Sequence, residues 1–124
     1  AEVEEMANLL AHADAIVTPA STLSLEGAIF DTPVIVTLYS TVRPDLHESA
    51  VRTHWLDMHF RPIAEKGWIP FARTPSELAD RIRTALRDRA WFREERKEIV
   101  RDYVTLTDGL SYQRVADLIH ASCR

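Results

Sequence analysis

One stretch limits the fold of this chain more than any other: Ala15–Pro33, reading AIVTPASTLSLEGAIFDTP. A short apolar run (Ala15, Ile16, Val17, Thr18) meets a turn at Pro19. Ser21 and Thr22 come next, then a helical segment carrying Glu26. A second apolar run, Pro33–Leu38, follows at once. Strand, loop, helix, strand is the order of a βαβ unit, and parallel sheets built from such units bind ligands at the carboxyl ends of their strands. Ser21, Thr22 and Glu26 fall at such an end, and the stretch reads as a phosphate-and-sugar site.

The physical argument begins at the helix start. A helix leaves about four N–H groups unpaired in its first turn, and its dipole adds roughly half a positive charge there. Hydroxyls at Ser21 and Thr22 supply further donors for a diphosphate. A plainer reading makes Ser21 or Thr22 an ordinary N-cap. A capping box would need Glu or Gln three residues on, but Ser24 and Leu25 stand there. Glu26 instead follows Thr22 by four, on the same helix face. There its carboxylate can accept both hydroxyls of a ribose, or act as a surface charge favoured by the helix end. Spacing alone leaves both readings open.

At 124 residues, 46% hydrophobic and 27% charged, the chain fits one soluble domain with a real core. A net charge of −4 supplies no global field for nucleic acid or an anionic membrane. The single cysteine, Cys123, excludes an internal disulfide and fits a reducing, cytoplasmic setting. No run approaches the roughly 20 apolar residues of a membrane span. The chain starts without Met, inside an amphipathic helix, and reads as a piece of a longer protein.

Glu2–Ala13 is predicted as a helix with Val3, Met6, Leu10 and Ala13 on one stripe. Tyr39–Arg52 is predicted as a loop leaving a strand end, where Arg43, His47 and Arg52 can meet phosphate or an acceptor hydroxyl, or simply be solvated. Thr53–Lys66 is predicted as a helix ended by Gly67, and Trp68–Ala72 as a third, edge strand because of Pro70. His47, His54 and His59 lack the spacing and companions of a metal site. Thr74, Pro75 and Glu77 make a capping box for a helix whose face is Leu78, Ile82, Ala85 and Leu86. The run REERKE in Ala90–Val104 reads as a solvated helix face. Asp108-Gly109 marks a turn before a last helix from Ser111, expected to pack Val115, Leu118 and Ile119. Arg114 opposes the positive end of that helix, which suggests a specific partner such as Asp108 or a phosphate.

Three blocks of the chain resemble a known family. LLAHADAIVTPASTLSLEGAIFDTPVIV is similar to the diphosphate- and ribose-binding segment in the C-terminal domain of GT-B glycosyltransferases. HFRPIAEKGWIPFARTPSELADRIRTAL resembles the helix, strand and helix that follow. DGLSYQRVADLI resembles the closing element of CDP-glycerol glycerophosphotransferases, related surface-polysaccharide transferases and non-hydrolysing UDP-N-acetylglucosamine epimerases. Gly27 departs from the alanine usual after "LE"; it weakens the helix by up to ~1 kcal/mol and admits a close neighbouring backbone.

The resemblance implies an α/β fold: a partial Rossmann-like, three-layer domain with a small parallel sheet of about three strands flanked by helices. Residues 1–124 would be the latter part of a GT-B donor-binding domain. Ser21 and Thr22 would hold the diphosphate and Glu26 the ribose; Arg43, read from its loop position alone, is counted with these contacts. Asp108, Ser111 and Arg114 would close the site or lock the last helix. The donor would be a nucleoside-diphosphate sugar or CDP-glycerol, with no further cofactor and no metal. The acceptor domain and the catalytic base would lie outside this chain, so the chain by itself is expected to be inactive. The exposed sheet edge invites a homodimer. Two alternatives stand beside this reading: an epimerase of the same architecture, and a non-catalytic α/β interaction module.

Overall fold

A computed structural model describes residues 2–19, 21–41 and 60–123. The expected α/β fold with three parallel strands holds. Helix α1 (Glu2–His12) leads into β1 (Ile16–Thr18), then come α2 (Leu23–Ile29) and β2 (Val34–Thr37). After α3 (Arg61–Glu65) come β3 (Phe71–Ala72) and α4 (Pro75–Arg87). Helix α5 (Arg93–Ile99) runs on as a π-helical turn (Val100–Val104), and α6 (Ser111–Ser122) closes the chain. The strands lie in the order β1-β2-β3, with Ile16 opposite Val34 and Thr37 opposite Ala72.

Alternation along the strands explains the layering. Val34 and Val36 point to one face, where they meet Ile16, Leu23 and Leu10 and, further along, Ala28, Ile63, Ile69 and Ile99. Ile35 points to the other face and packs with Ala72, Ala85, Leu78 and Ile82. Burial on both faces is what a parallel strand requires and explains the unbroken apolar run at β2. β1 is covered less completely, and Val17 stays 45% exposed.

Gly27 is a packing requirement. A Cβ placed there would lie 2.4 Å from Val34 Cγ2 and 2.8 Å from Ile16 Cδ1. The glycine therefore lets α2 sit directly on side chains of β1 and β2; the Thr32 carbonyl, at 3.7 Å, is in ordinary contact. The backbone approach expected from sequence is thus an approach of side chains.

α2 ends in a Schellman arrangement: Thr32 N–H donates to Gly27 O (2.9 Å) and Asp31 N–H to Ala28 O (3.1 Å). Asp31 takes the left-handed position (φ 52) that glycine usually fills. Its side chain accounts for the choice. Arg96 donates to Asp31 Oδ1 from Nε (2.9 Å) and Nη2 (2.8 Å), and Arg93 Nε donates to Oδ2 (2.8 Å). Arg96 also donates to Trp91 O (2.6 Å) and Arg89 O (2.9 Å), and is only 3% exposed. Beside it Thr32 Oγ1 donates to Leu10 O (2.7 Å), and Arg89 donates to Ala11 O (3.1 Å). This network ties α1, α2 and α5 together at the amino ends of the strands. The run REERKE is therefore only partly a solvated face: an arginine needs buried acceptors to be covered, and Arg96 has them.

Other expectations change in extent. In α1 only Leu10 is buried, while Val3 is 82% and Met6 46% exposed, because only the end of the helix reaches the sheet. The third strand is Phe71–Ala72 rather than Trp68–Ala72, at the sheet edge as Pro70 suggested. Pro62 sits in the first turn of α3, where a missing N–H costs nothing, and Gly67 (φ 67) ends that segment. The predicted helix Thr53–Lys66 otherwise begins outside the described residues. Leu86 in α4 is exposed. So is the face expected to pack in α6, where Val115, Leu118 and Ile119 join Tyr112 at 57–71% exposure. Nothing else in the described chain rests on that face.

Candidate functional site

The carboxyl edge of the sheet gathers the residues that sequence pointed to first. β1 ends at Thr18, and Ser21 and Thr22 lead from it into α2. Ser21 Oγ accepts the N–H of Leu23 (3.2 Å), and its carbonyl accepts Ser24 N–H (3.1 Å). The Thr22 carbonyl accepts the N–H groups of Leu25 (2.9 Å) and Glu26 (3.1 Å). The N–H groups from Leu23 to Glu26 are thus all engaged within the chain, so the free helix-start amides expected from sequence are not there. What faces outward instead is a side-chain pair: Thr22 Oγ1 donates to Glu26 Oε1 at 3.3 Å, on the exposed surface. A hydroxyl and a carboxylate one turn apart, joined by a long hydrogen bond, can open to take a polyol hydroxyl group.

One turn further on, Glu26 borders an open groove of about 470 Å³ between α1 and α2, lined by Val3, Met6, Leu10, Ile29 and Phe30. Its lining is apolar, so the groove itself offers no diphosphate donors. Ser24, on the buried side of α2, carries a hydroxyl without any hydrogen-bond partner.

The closing block forms its own unit. Arg114 donates from both Nη atoms to the two carboxylate oxygens of Asp108, Nη1 at 3.0 Å to Oδ1, and Asp108 Oδ1 also accepts Leu110 N–H (3.1 Å). The Arg114 hydrogen bond, helped by the Leu110 amide, holds the Asp108 carboxyl at about 2, well below its ordinary value. Gly109 (φ 73) makes the turn between them, and Ser111 opens α6. This clasp explains an arginine in the first turn of a helix: the carboxylate it grips outweighs the unfavourable helix end. The described contacts join it neither to Ser21 and Thr22 nor to Glu26. Arg43, His47, Arg52, His54 and His59 lie outside the described residues.

Two features escaped sequence reading. The Asp31–Arg96 pair spans 65 residues and has no local signature. Arg73, directly after β3, is exposed, and its backbone N–H donates to Glu77 Oε2 at 2.7 Å. Glu77 N–H in turn donates to Thr74 Oγ1 (3.1 Å), so the capping box forms with its carboxylate reaching one residue further back than the usual pattern. Among the described residues no three His, Cys, Asp or Glu side chains gather as a metal-binding group. None of the described helices is long and apolar enough to cross a membrane.

No curated protein and no solved structure matches the chain. A family model does, over residues 1–121: the one described as CDP-Glycerol:Poly(glycerophosphate) glycerophosphotransferase. That match spans the sheet, the Thr22–Glu26 pair and the Asp108–Arg114 clasp together. The chain belongs to the CDP-glycerol:poly(glycerophosphate) glycerophosphotransferase family.

Proposed function

We propose that this chain holds the nucleotide end of an activated donor, CDP-glycerol or a related nucleoside-diphosphate sugar, as the latter part of a GT-B donor-binding domain. The observation that carries the reading is the exposed Thr22–Glu26 pair at the carboxyl edge of a parallel sheet, the edge where such folds take their ligands. The family match supports transfer chemistry over epimerisation within one sugar.

In this reading Ser21 and Thr22 donate hydroxyl hydrogen bonds to the diphosphate, and Glu26 exchanges its hydrogen bond from Thr22 for those of the ribose hydroxyls. With CDP-glycerol as donor, the oxygen of an acceptor hydroxyl, brought by an acceptor domain outside this chain, bonds to the outer phosphorus while its proton passes to a base in that domain. The bond from that phosphorus to the bridging oxygen breaks, and CMP leaves with the electron pair. With a nucleoside-diphosphate sugar the acceptor oxygen bonds the sugar carbon instead, and the nucleoside diphosphate leaves. Donors already aimed at the departing phosphate favour that charge distribution. Arg43 joins the phosphate contacts, while Asp108 and Arg114, with Ser111, lock the start of the last helix.

The deciding experiment is a titration of the chain with CDP, UDP and GDP, followed by amide NMR. Shifts at Ser21, Thr22 and Glu26 that disappear in Glu26→Ala are the expected result. Silence at these amides at millimolar nucleotide would refute the reading. A protein-interaction role is the second reading, favoured by the bare apolar stripe of α6. Nucleotide silence together with self-association would point to it, including the edge-paired homodimer.

A further inference from the structure

Among the described residues, the ones placed in the donor site bring no counter-charge for a diphosphate. Ser21 and Thr22 are neutral, Glu26 is an anion, and the N–H groups of Leu23 through Glu26 already have acceptors. A diphosphate set against these residues alone would meet more negative than positive charge.

Where the positive charge stands follows from topology and from what the other cations do. The three strands are parallel, so the residues after β1, β2 and β3 all leave the sheet along one edge. Arg73 follows Ala72 at the end of β3, two strands from β1, or about 10 Å across the sheet. An arginine side chain and a diphosphate together can cover that span. Elsewhere the cations are occupied: Asp31 holds Arg93 and Arg96, Asp108 holds Arg114, and Asp102 holds Lys66. Arg73, Arg81, Arg87 and Arg89 have no carboxylate partner among the described residues, and Arg89 is turned to the Ala11 carbonyl at the amino end of β1. Helix α4 starts at the carboxyl edge and runs back, which puts Arg81 in mid-helix and Arg87 at the opposite edge. Arg73 alone of these stands at the carboxyl edge of the sheet, the edge that carries the proposed site. Its amide is fixed by Glu77, so the guanidinium is presented from a held backbone.

We propose that Arg73 is the residue that binds and neutralises the donor diphosphate, reaching it from β3 across the sheet edge from Ser21 and Thr22. The inference rests on the donor-binding reading above and adds to it the phosphate cation.

The test is a calorimetric titration of the 124-residue chain with CDP and with cytidine, each at about 0.05 and about 0.2 M salt. The native chain should prefer CDP, and that preference should shrink as salt rises. Arg73→Gln should lose roughly 10-fold or more in CDP affinity, as expected for a charged hydrogen bond, and most of the salt dependence. Cytidine binding should be unchanged, and Arg73→Lys should recover part of the CDP affinity. Circular dichroism checks that the fold persists, which the exposure of Arg73 favours. CDP binding by Arg73→Gln with native affinity and salt dependence would overturn the proposal and leave the donor reading intact. So would a loss seen with Arg43→Gln but not with Arg73→Gln. If the native chain binds neither ligand, the donor reading falls and this inference with it.

Discussion

Gly27→Ala gives the sharpest test of how α2 is seated. In an open helix this change stabilises by about 1 kcal/mol, because alanine loses less backbone freedom on folding. Here the added methyl would stand 2.4 Å from Val34 Cγ2 and 2.8 Å from Ile16 Cδ1. The Ile16 contact is with the far end of a flexible chain and can turn aside. Val34 cannot: it is β-branched, 4% exposed and fixed in the middle strand. Overpacking of this kind costs about 1–3 kcal/mol, and two contacts below 3 Å belong in the upper part of that range. Set against the helix gain, the expected result is a net loss of about 1–2 kcal/mol. Urea denaturation followed by circular dichroism would read it, as would a fall of roughly 4 °C in Tm per kcal/mol. Val34→Ala removes the obstructing methyl, so the double variant should be more stable than the two single losses predict, by about 1 kcal/mol. A Gly27→Ala chain as stable as the native one, or strict additivity with Val34→Ala, would refute the reasoning.

Arg96→Met should destabilise by about 2–3 kcal/mol in the same denaturation assay, because Asp31 Oδ1 and the carbonyls of Arg89 and Trp91 lose their donor together, while Arg93 still holds Oδ2. Burial alone would raise the Asp31 pKa, but hydrogen bonds and charge from Arg96 and Arg93 outweigh it and hold the carboxyl below its ordinary value. The sign follows: this stabilisation is complete above the unfolded pKa near ~3.9 and fades as pH falls through the lower folded value. A denaturation series from neutral to acid pH should therefore flatten in Asp31→Asn, which keeps a residue tolerant of φ 52. Carbon NMR of Asp108 should show its titration at about 2, and Arg114→Gln should move it up toward the usual value. Ser24→Ala should leave stability unchanged or raise it by up to about 1 kcal/mol, since the buried hydroxyl has no partner to lose.

What could be read from sequence was local. The βαβ unit, the α4 capping box and the Asp108-Gly109 turn each rest on residues a few positions apart, and each forms. Asp31 shows the limit. From sequence it is a residue after a helix; its left-handed backbone and two arginine partners depend on α5 arriving 62 and 65 residues later. The helix-start amides from Leu23 to Glu26 have acceptors within the chain for a related reason: hydroxyl and carbonyl groups of Ser21 and Thr22 take them, and pattern alone does not say which acceptor gets there first. In α6 the amphipathic spacing was legible but its partner was not, because a stripe of Val115, Leu118 and Ile119 states a need for cover without saying what supplies it.

The position of β2 sets how the molecule opens. It lies between two parallel neighbours, and Ile35 and Val36 are fully buried on opposite faces. Neither edge of this strand can peel away while its neighbours stay in place. Its amides therefore exchange hydrogen with solvent through opening of the whole unit, whereas those of α6 exchange through local fraying. Val36 and Leu118 become two gauges in one spectrum, one of global stability and one of local. A molecule bound at the carboxyl edge of the sheet would slow the first and leave the second untouched.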